Sequence, residues 1–201
     1  YEAIIRNQIR NKNISIKDIE NVIYSSVVPE INYSLKTAIE AVTNKKPLIL
    51  CPGIKTGIRM VVDNPNEADV VGAKEKYGYP TIIADLGTAT KMLLIDKDGN
   101  FSSALIMPGI SISSANLSNK AALLPSVSLE TPKSVIARNT IDCMNAGMVY
   151  GHADMIVGLA NRIEREIGYK CNRILTGGGS RVLVDIVKND YQFDSTFLWC
   201  V

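Results

Sequence analysis

Cysteine is sparse and scattered in this chain. Cys51, Cys143, Cys171 and Cys200 stand far apart with no C-x-x-C pair, which argues against a zinc site or a disulfide framework. They read as reduced thiols, the state expected in a cytoplasmic protein. Histidine occurs once, as His152. Neither sign of charge is in excess: 22 basic residues against 20 acidic ones leave +2, so no electrostatic argument points to nucleic acid or an anionic membrane surface. No run approaches the roughly 18 unbroken apolar residues of a membrane-spanning helix. The opening Tyr-Glu-Ala-Ile-Ile-Arg puts charges where a signal peptide would be apolar. Internal repeats and low-complexity tracts are absent as well. What is present is 201 residues of 46% hydrophobic content, enough to build a core in one large domain or two small ones.

The most informative stretch is Ile82-Ile83-Ala84-Asp85-Leu86-Gly87-Thr88-Ala89-Thr90. A short apolar run after Pro80 ends in Asp-x-Gly-Thr-x-Thr, which reads as a buried strand delivering a carboxylate, a glycine and hydroxyls to a tight turn. A second apolar run spans 92–95, Asp98-Gly99 signals a hairpin, and a third run spans 104–107. Such a hairpin can face an anion with backbone N–H groups and hydroxyls, with Gly87 allowing close approach. Asp85 cannot itself welcome a phosphate; its natural task is to hold a cation that does. The competing reading is an ordinary sheet turn, because a motif this short also arises by chance.

Around this centre the expected order is α/β. Residues 1–11 carry Ile4, Ile5 and Ile9 at helical spacing, as if a helix were entered partway. A strand is expected over 21–28, a helix over 31–42, a strand over 48–51, another over 58–62 and a helix over 68–77. After Pro108-Gly109 a helix is expected over 113–123, followed by an extended loop over 126–135.

Residues 142–167 form the longest periodic segment, with Ile141, Met144, Met148, His152, Met155, Leu159 and Ile163 at spacings of three and four. A histidine on such a stripe is more often packed or interfacial than catalytic. The methionines read as core or as a seam between two copies. Near the end, a strand over 173–175 runs into Thr176-Gly177-Gly178-Gly179-Ser180, with a helix expected over 182–187. That turn is neither a Walker loop nor G-x-G-x-x-G; it suits a nucleotide at a helix start, and a plain glycine-rich turn equally.

Taken together, these landmarks resemble the type III pantothenate kinases, of the actin, Hsp70 and sugar-kinase superfamily. The resemblance is carried by Ser25-Ser26-Val27-Val28-Pro29, Asp63-Asn64-Pro65-Asn66-Glu67, the Asp85 motif, Pro108-Gly109-Ile110, Leu124-Pro125, Pro132-Lys133-Ser134-Val135-Ile136, Asn139-Thr140, Gly147 with Tyr150-Gly151, and Thr176-Gly177-Gly178. Their shared order and spacing are far more specific than any one of them. The resemblance implies a duplicated ribonuclease-H-like fold, with an incomplete first half over 1–84 and a second half over 85–201. It also implies a homodimer that uses ATP and Mg²⁺ to phosphorylate pantothenate, the first step of coenzyme A synthesis.

By the same resemblance, Asp69 in Ala68-Asp69 matches the family's catalytic base and its substrate-contacting segment. Asp85 matches the aspartate linked to a monovalent cation, potassium or ammonium. Thr88 matches the threonine that contacts ATP, and Thr140 the one that contacts pantothenate. Read from the residues alone, Asp69 is equally a helix N-terminal acid favoured by the dipole, and Thr140 equally a helix N-cap.

Departures from the family pattern are also expected to matter. The family's first strand with Asp-x-Gly-Asn-Thr is absent, Asp69 is followed by Val70 instead of arginine, Val62 stands where a tyrosine is common, and Lys91 replaces a threonine after Thr90. The simplest expectation is that the chain omits residues of a longer protein. The competing functions are a non-catalytic nucleotide-binding paralogue acting as a regulator, and another small-molecule kinase of the superfamily.

Overall fold

The structure is a computed structural model, and it describes residues 1–24, 26, 28–49, 59 and 68–195. The chain forms two compact units, Tyr1–Lys55 and Thr56–Val201.

In the first unit, α1 (Glu2–Asn11) packs on α2 (Pro29–Thr43). Pro29 opens α2 in the first turn, where its missing N–H costs nothing. Asn44 closes it in the left-handed conformation, its N–H bonded to the Glu40 carbonyl. Strands β1 (Ile23–Tyr24) and β2 (Leu48–Ile49) flank that helix and pair in parallel, Ile23 with Leu48 and Tyr24 with Ile49. A helix between two parallel strands is a βαβ crossover, in keeping with the α/β order expected from the apolar runs. Ala38, Ile39 and Val42 are its buried face. Both strands are shorter than expected within the described residues; the strand expected over 58–62 lies outside them.

Among the described residues, the second unit is built on a five-stranded mixed sheet. Helix α3 (Ala68–Tyr77) leads into β3 (Thr81–Leu86), β4 (Ala89–Ile95) and β5 (Phe101–Pro108). Then follow α4 (Ile110–Lys120), α5 (Thr140–Ile167), β6 (Asn172–Thr176), α6 (Val184–Val187) and β7 (Gln192–Phe193). The strand order is β5-β4-β3-β6-β7. The first three strands form an antiparallel meander, and β6 and β7 add in parallel on the other side of β3. A meander continued by crossover-linked parallel strands is the ribonuclease-H-like arrangement.

β3 lies at the centre, and all six of its residues are buried, as its short apolar run suggests for a strand covered on both faces. Alternation divides the two cores. Ile82, Ala84 and Leu86 join Met92, Leu94 and Leu175 against Val149, Ala153, Ile156 and Ala160 of α5. Ile83, Leu93, Ile95 and Phe101 pack against Val70 and Ala73 of α3.

Three expectations are corrected in detail. The buried stripe of α5 keeps Met144 and His152 of the expected line but otherwise runs through Val149, Ala153, Ile156 and Ala160, one position round from Met148, Met155, Leu159 and Ile163, which pack at its edge. The alanines let the helix approach the sheet closely, and the longer side chains flank the contact, partly exposed. α4 starts at Ile110 instead of 113, directly from Gly109. The segment after β6 is a 3-10 helix over Gly178–Val182 followed by a single α turn, so no long helix starts at the glycine turn.

Candidate functional site

β3 ends at Leu86 and β4 begins at Ala89, leaving Gly87 and Thr88 as the turn between them. Gly87 N–H donates to the Ala89 carbonyl at 3.1 Å. So tight a connection sets the register: Leu86 faces Thr90 and Asp85 faces Lys91. On the other side of β3, Asp85 faces Thr176 of β6. Lys91, Asp85 and Thr176 therefore lie in one row across three strands, on the face that α3 covers.

Asp85 is 6% exposed, and its Oδ2 is 3.5 Å from Lys91 Nζ. Its Oδ1 lies against the glycine turn, where a β-carbon on Gly177 would meet it at 2.5 Å. Thr176 is fully buried, and its hydroxyl has no hydrogen-bond partner among the described residues.

Glycines also enclose the turn itself. A β-carbon on Gly109 would meet the Thr88 carbonyl oxygen at 2.3 Å and that of Gly87 at 2.6 Å. Gly177, at φ +90, packs equally close to the backbone of Leu86. The backbones after β5 and after β6 thus press on the β3–β4 turn as only glycine permits. Within this frame Gly87 and Thr88 remain exposed, and α4 starts at the glycine touching Thr88, bringing its first N–H groups to the same place. A concave turn with backbone donors, an exposed hydroxyl and a helix start is suited to phosphate oxygens.

The other hydroxyl of the motif is occupied. Thr90 is buried, with its Oγ1 3.4 Å from His152 Nε2. Burial lowers the His152 pKa, and a hydrogen bond to the Pro108 carbonyl opposes the shift without reversing it. His152 is thus a packed imidazole joining α5 to the ends of β4 and β5, as its place on an apolar stripe suggested.

Asp69 and Ala68 begin α3; their side chains lie outside what the structure describes. The path of the helix backbone places them. Only residues 78–80 join α3 to the start of β3, and Lys74 reaches the β4–β5 turn, 3.1 Å from where a Gly99 β-carbon would stand. α3 therefore runs back over the sheet antiparallel to β3, with its first turn toward the end of β3 that carries Asp85 and the Gly87–Thr88 turn.

Thr140 stands elsewhere, at the start of α5. It lines an open cleft of about 520 Å³ with Leu117, Leu124, Arg138, Cys143 and Met148. The N-cap of α5 is Asn139, whose side chain accepts from Asp142 N–H at 2.9 Å. The capping role that Thr140 could have held is filled by its neighbour. Within one chain, Thr140 is about 18 Å along the helix from His152, at 1.5 Å per residue.

A monovalent cation at Asp85 fits the carboxylate but not its surroundings. The Lys91 ammonium already stands at that oxygen, and two unit charges of like sign 4 Å apart repel by about 4 kcal/mol at an effective dielectric near 20. The sequence marked Lys91 only as a departure from a motif. Its pairing with Asp85 becomes visible once the two-residue turn sets the register.

Comparisons with known proteins converge on one family. A family model described as type III pantothenate kinase matches residues 1–162. A type III pantothenate kinase of Exiguobacterium sibiricum is 36% identical over 189 residues, covering 91% of this chain and 74% of the relative. One from Bacillus cytotoxicus is 34% identical over 191 residues, covering 92% and 73%. Among solved structures, a conserved Campylobacter jejuni protein assigned to the Baf family of transcriptional activators superposes with a TM-score of 0.59 at 16% identity, over 92% of this chain and 81% of that one. At that identity the likeness speaks to the fold alone.

Proposed function

The chain belongs to the type III pantothenate kinase family, and from that premise we propose that it transfers the γ-phosphoryl group of ATP to the primary hydroxyl of pantothenate. This is the first step of coenzyme A synthesis. The observation that carries the reading is the Gly87–Thr88 turn, exposed and pressed between Gly109 and Gly177, which suits the phosphates of a nucleotide.

ATP enters with a divalent cation, magnesium, as part of the substrate. Thr88 binds the nucleotide through its hydroxyl and the backbone around it. Ala68, Asp69 and Thr140 contact pantothenate. In the reaction the pantothenate hydroxyl oxygen forms a bond to the γ-phosphorus as the bond to the β,γ-bridging oxygen breaks, and ADP leaves with that oxygen. Asp69 accepts the hydroxyl proton as general base. The protein's work is largely positioning and charge neutralisation, since the transferring group brings its own reactivity. Asp85 contributes by holding positive charge beside the phosphates. The resemblance gives that charge to a potassium or ammonium ion, and Lys91 stands at the same carboxylate.

We also propose a homodimer. Leu123, Val135, Ile136 and Ile141 are exposed apolar residues that a second copy would cover, and light scattering on the purified protein checks it. No helix among the described residues is long and apolar enough to cross a membrane; the cytoplasm, where ATP is made available, is the compartment we assign, and cell fractionation tests it.

The deciding experiment is coupled ADP release by the full-length protein with MgATP and pantothenate. Turnover that requires pantothenate supports the reading. ATP hydrolysis indifferent to pantothenate, or none, overturns it.

A further inference from the structure

We propose that Lys91 is this enzyme's built-in monovalent cation: its ammonium occupies the charge site at Asp85, so that nucleotide binding and turnover need no potassium or ammonium ion. The proposal rests on reading the Gly87–Thr88 turn as the ATP phosphate site.

The observations that carry it are geometric. Asp85 is nearly buried, and a buried carboxylate needs a positive partner to remain ionised. Lys91 supplies one at 3.5 Å from Oδ2. The lysine cannot drift from that place, because the β3–β4 register sets its Cα opposite that of Asp85 and β4 is held between β3 and β5. Its side chain is 25% exposed, so the ammonium is not sealed in the core as a purely structural ion pair would be. An ammonium carries the same unit charge as potassium and presents N–H donors to anionic oxygens. Being part of the chain, it pays no translational entropy on each binding event. The row Lys91–Asp85–Thr176 ends at the Gly177 turn, which presses on Asp85 Oδ1 and on the Leu86 backbone, so the charge lies beside one of the two glycine-lined backbones that enclose the phosphate site.

The test compares the wild type with Lys91→Thr. Threonine favours strands, so the substitution suits its position in β4. MgATP affinity is measured by calorimetry in tetramethylammonium chloride and in potassium chloride at equal ionic strength, which holds screening constant. The wild type is expected to bind with the same Kd in both salts, within about twofold. Lys91→Thr is expected to bind weakly without potassium and to recover by about tenfold or more with it. The melting temperature follows the same pattern: potassium raises that of Lys91→Thr, whose Asp85 has lost its tethered cation, and leaves the wild type unmoved. Lys91→Arg keeps a tethered charge and stays indifferent to potassium.

A wild-type protein that needs potassium to bind MgATP overturns the proposal. So does a Lys91→Thr protein whose affinity and melting temperature both ignore potassium. The kinase reading fails separately: if the potassium switch appears in MgATP binding and pantothenate is still not phosphorylated, the lysine assignment stands and the substrate assignment falls. Absence of MgATP binding in both salts overturns the two together.

Discussion

Gly109 lies directly against Thr88: a β-carbon added to it would stand 2.3 Å from the Thr88 carbonyl oxygen, well inside van der Waals contact. The β3–β4 turn is held in shape from outside, by the backbone that leaves β5 and enters α4. Gly109→Ala must push that backbone off the turn. The expected cost is about 1–3 kcal/mol of stability, the usual range for overpacking, with a rise in the Kd for MgATP because Thr88 moves. Denaturant unfolding and calorimetry check the two parts. An alanine variant with unchanged MgATP affinity would show that the turn does not position the nucleotide.

Asn139 and Thr140 divide two roles that the sequence could not separate. Asn139 caps α5, so Asn139→Ala should cost about 1 kcal/mol of stability. Thr140 lines the cleft instead. Thr140→Val should leave the melting temperature nearly unchanged and raise KM for pantothenate about three- to tenfold, the equivalent of one lost hydrogen bond. The reverse pattern, with a stability loss and an unchanged KM, would return Thr140 to a structural role.

Much of this was legible in advance because local pattern and tertiary demand agree. β3 reads as a buried strand from its short apolar run, and the structure places it at the sheet centre with every residue buried. Helix α3 falls on the residues its pattern indicates. The α5 pattern finds Met144 and His152 on the buried face but misses its centre, because hydrophobicity alone favours methionine and leucine, whereas close packing on a sheet favours Ala153 and Ala160. The start of α4 was hidden by Pro108-Gly109, which reads as a break but is the step from β5 into the helix.

The Lys91–Asp85 pair was hidden for a different reason. The two stand six positions apart in sequence, and only the length of the turn decides whether they face each other. A turn one residue longer would put the lysine on the opposite face of the sheet.

If Asp69 is the general base, Asp69→Asn should lower kcat by about 10²–10⁴-fold, the usual contribution of a positioned proton acceptor. The fold should hardly notice: Asp69 is the second residue of α3, and an acid in a helix's first turn contributes only about 0.3–1 kcal/mol through the dipole. Single-turnover measurement beside thermal unfolding distinguishes the cases. A variant with full kcat removes Asp69 from the chemistry.

Glu164 makes the acid stability of the second unit depend on one carboxylate. It is buried in α5 and accepts Arg173 Nε and Nη2 at 2.8 Å each, Lys170 Nζ at 2.7 Å and the Cys171 N–H at 3.4 Å. Burial alone would raise its pKa, but the hydrogen bonds from Arg173, Lys170 and Cys171 more than reverse this, taking it from 4.5 to about 2. A folded-state pKa below the unfolded one means the unfolded chain binds the proton more readily. The contribution is therefore complete above about pH 4.5 and is lost as pH falls toward 2. The shift corresponds to about 3 kcal/mol. Glu164→Gln should be destabilised by about that amount at pH 7 and should converge on the wild type as the pH approaches 2. It should also leave Arg173, whose side chain is only 8% exposed, to rely on Asn161 and the more distant Asp190 for its fixed charge. Urea unfolding of both proteins between pH 7 and pH 3 measures this directly. A stability gap that stays constant as the pH falls would mean that the glutamate contributes through packing and not through its charge.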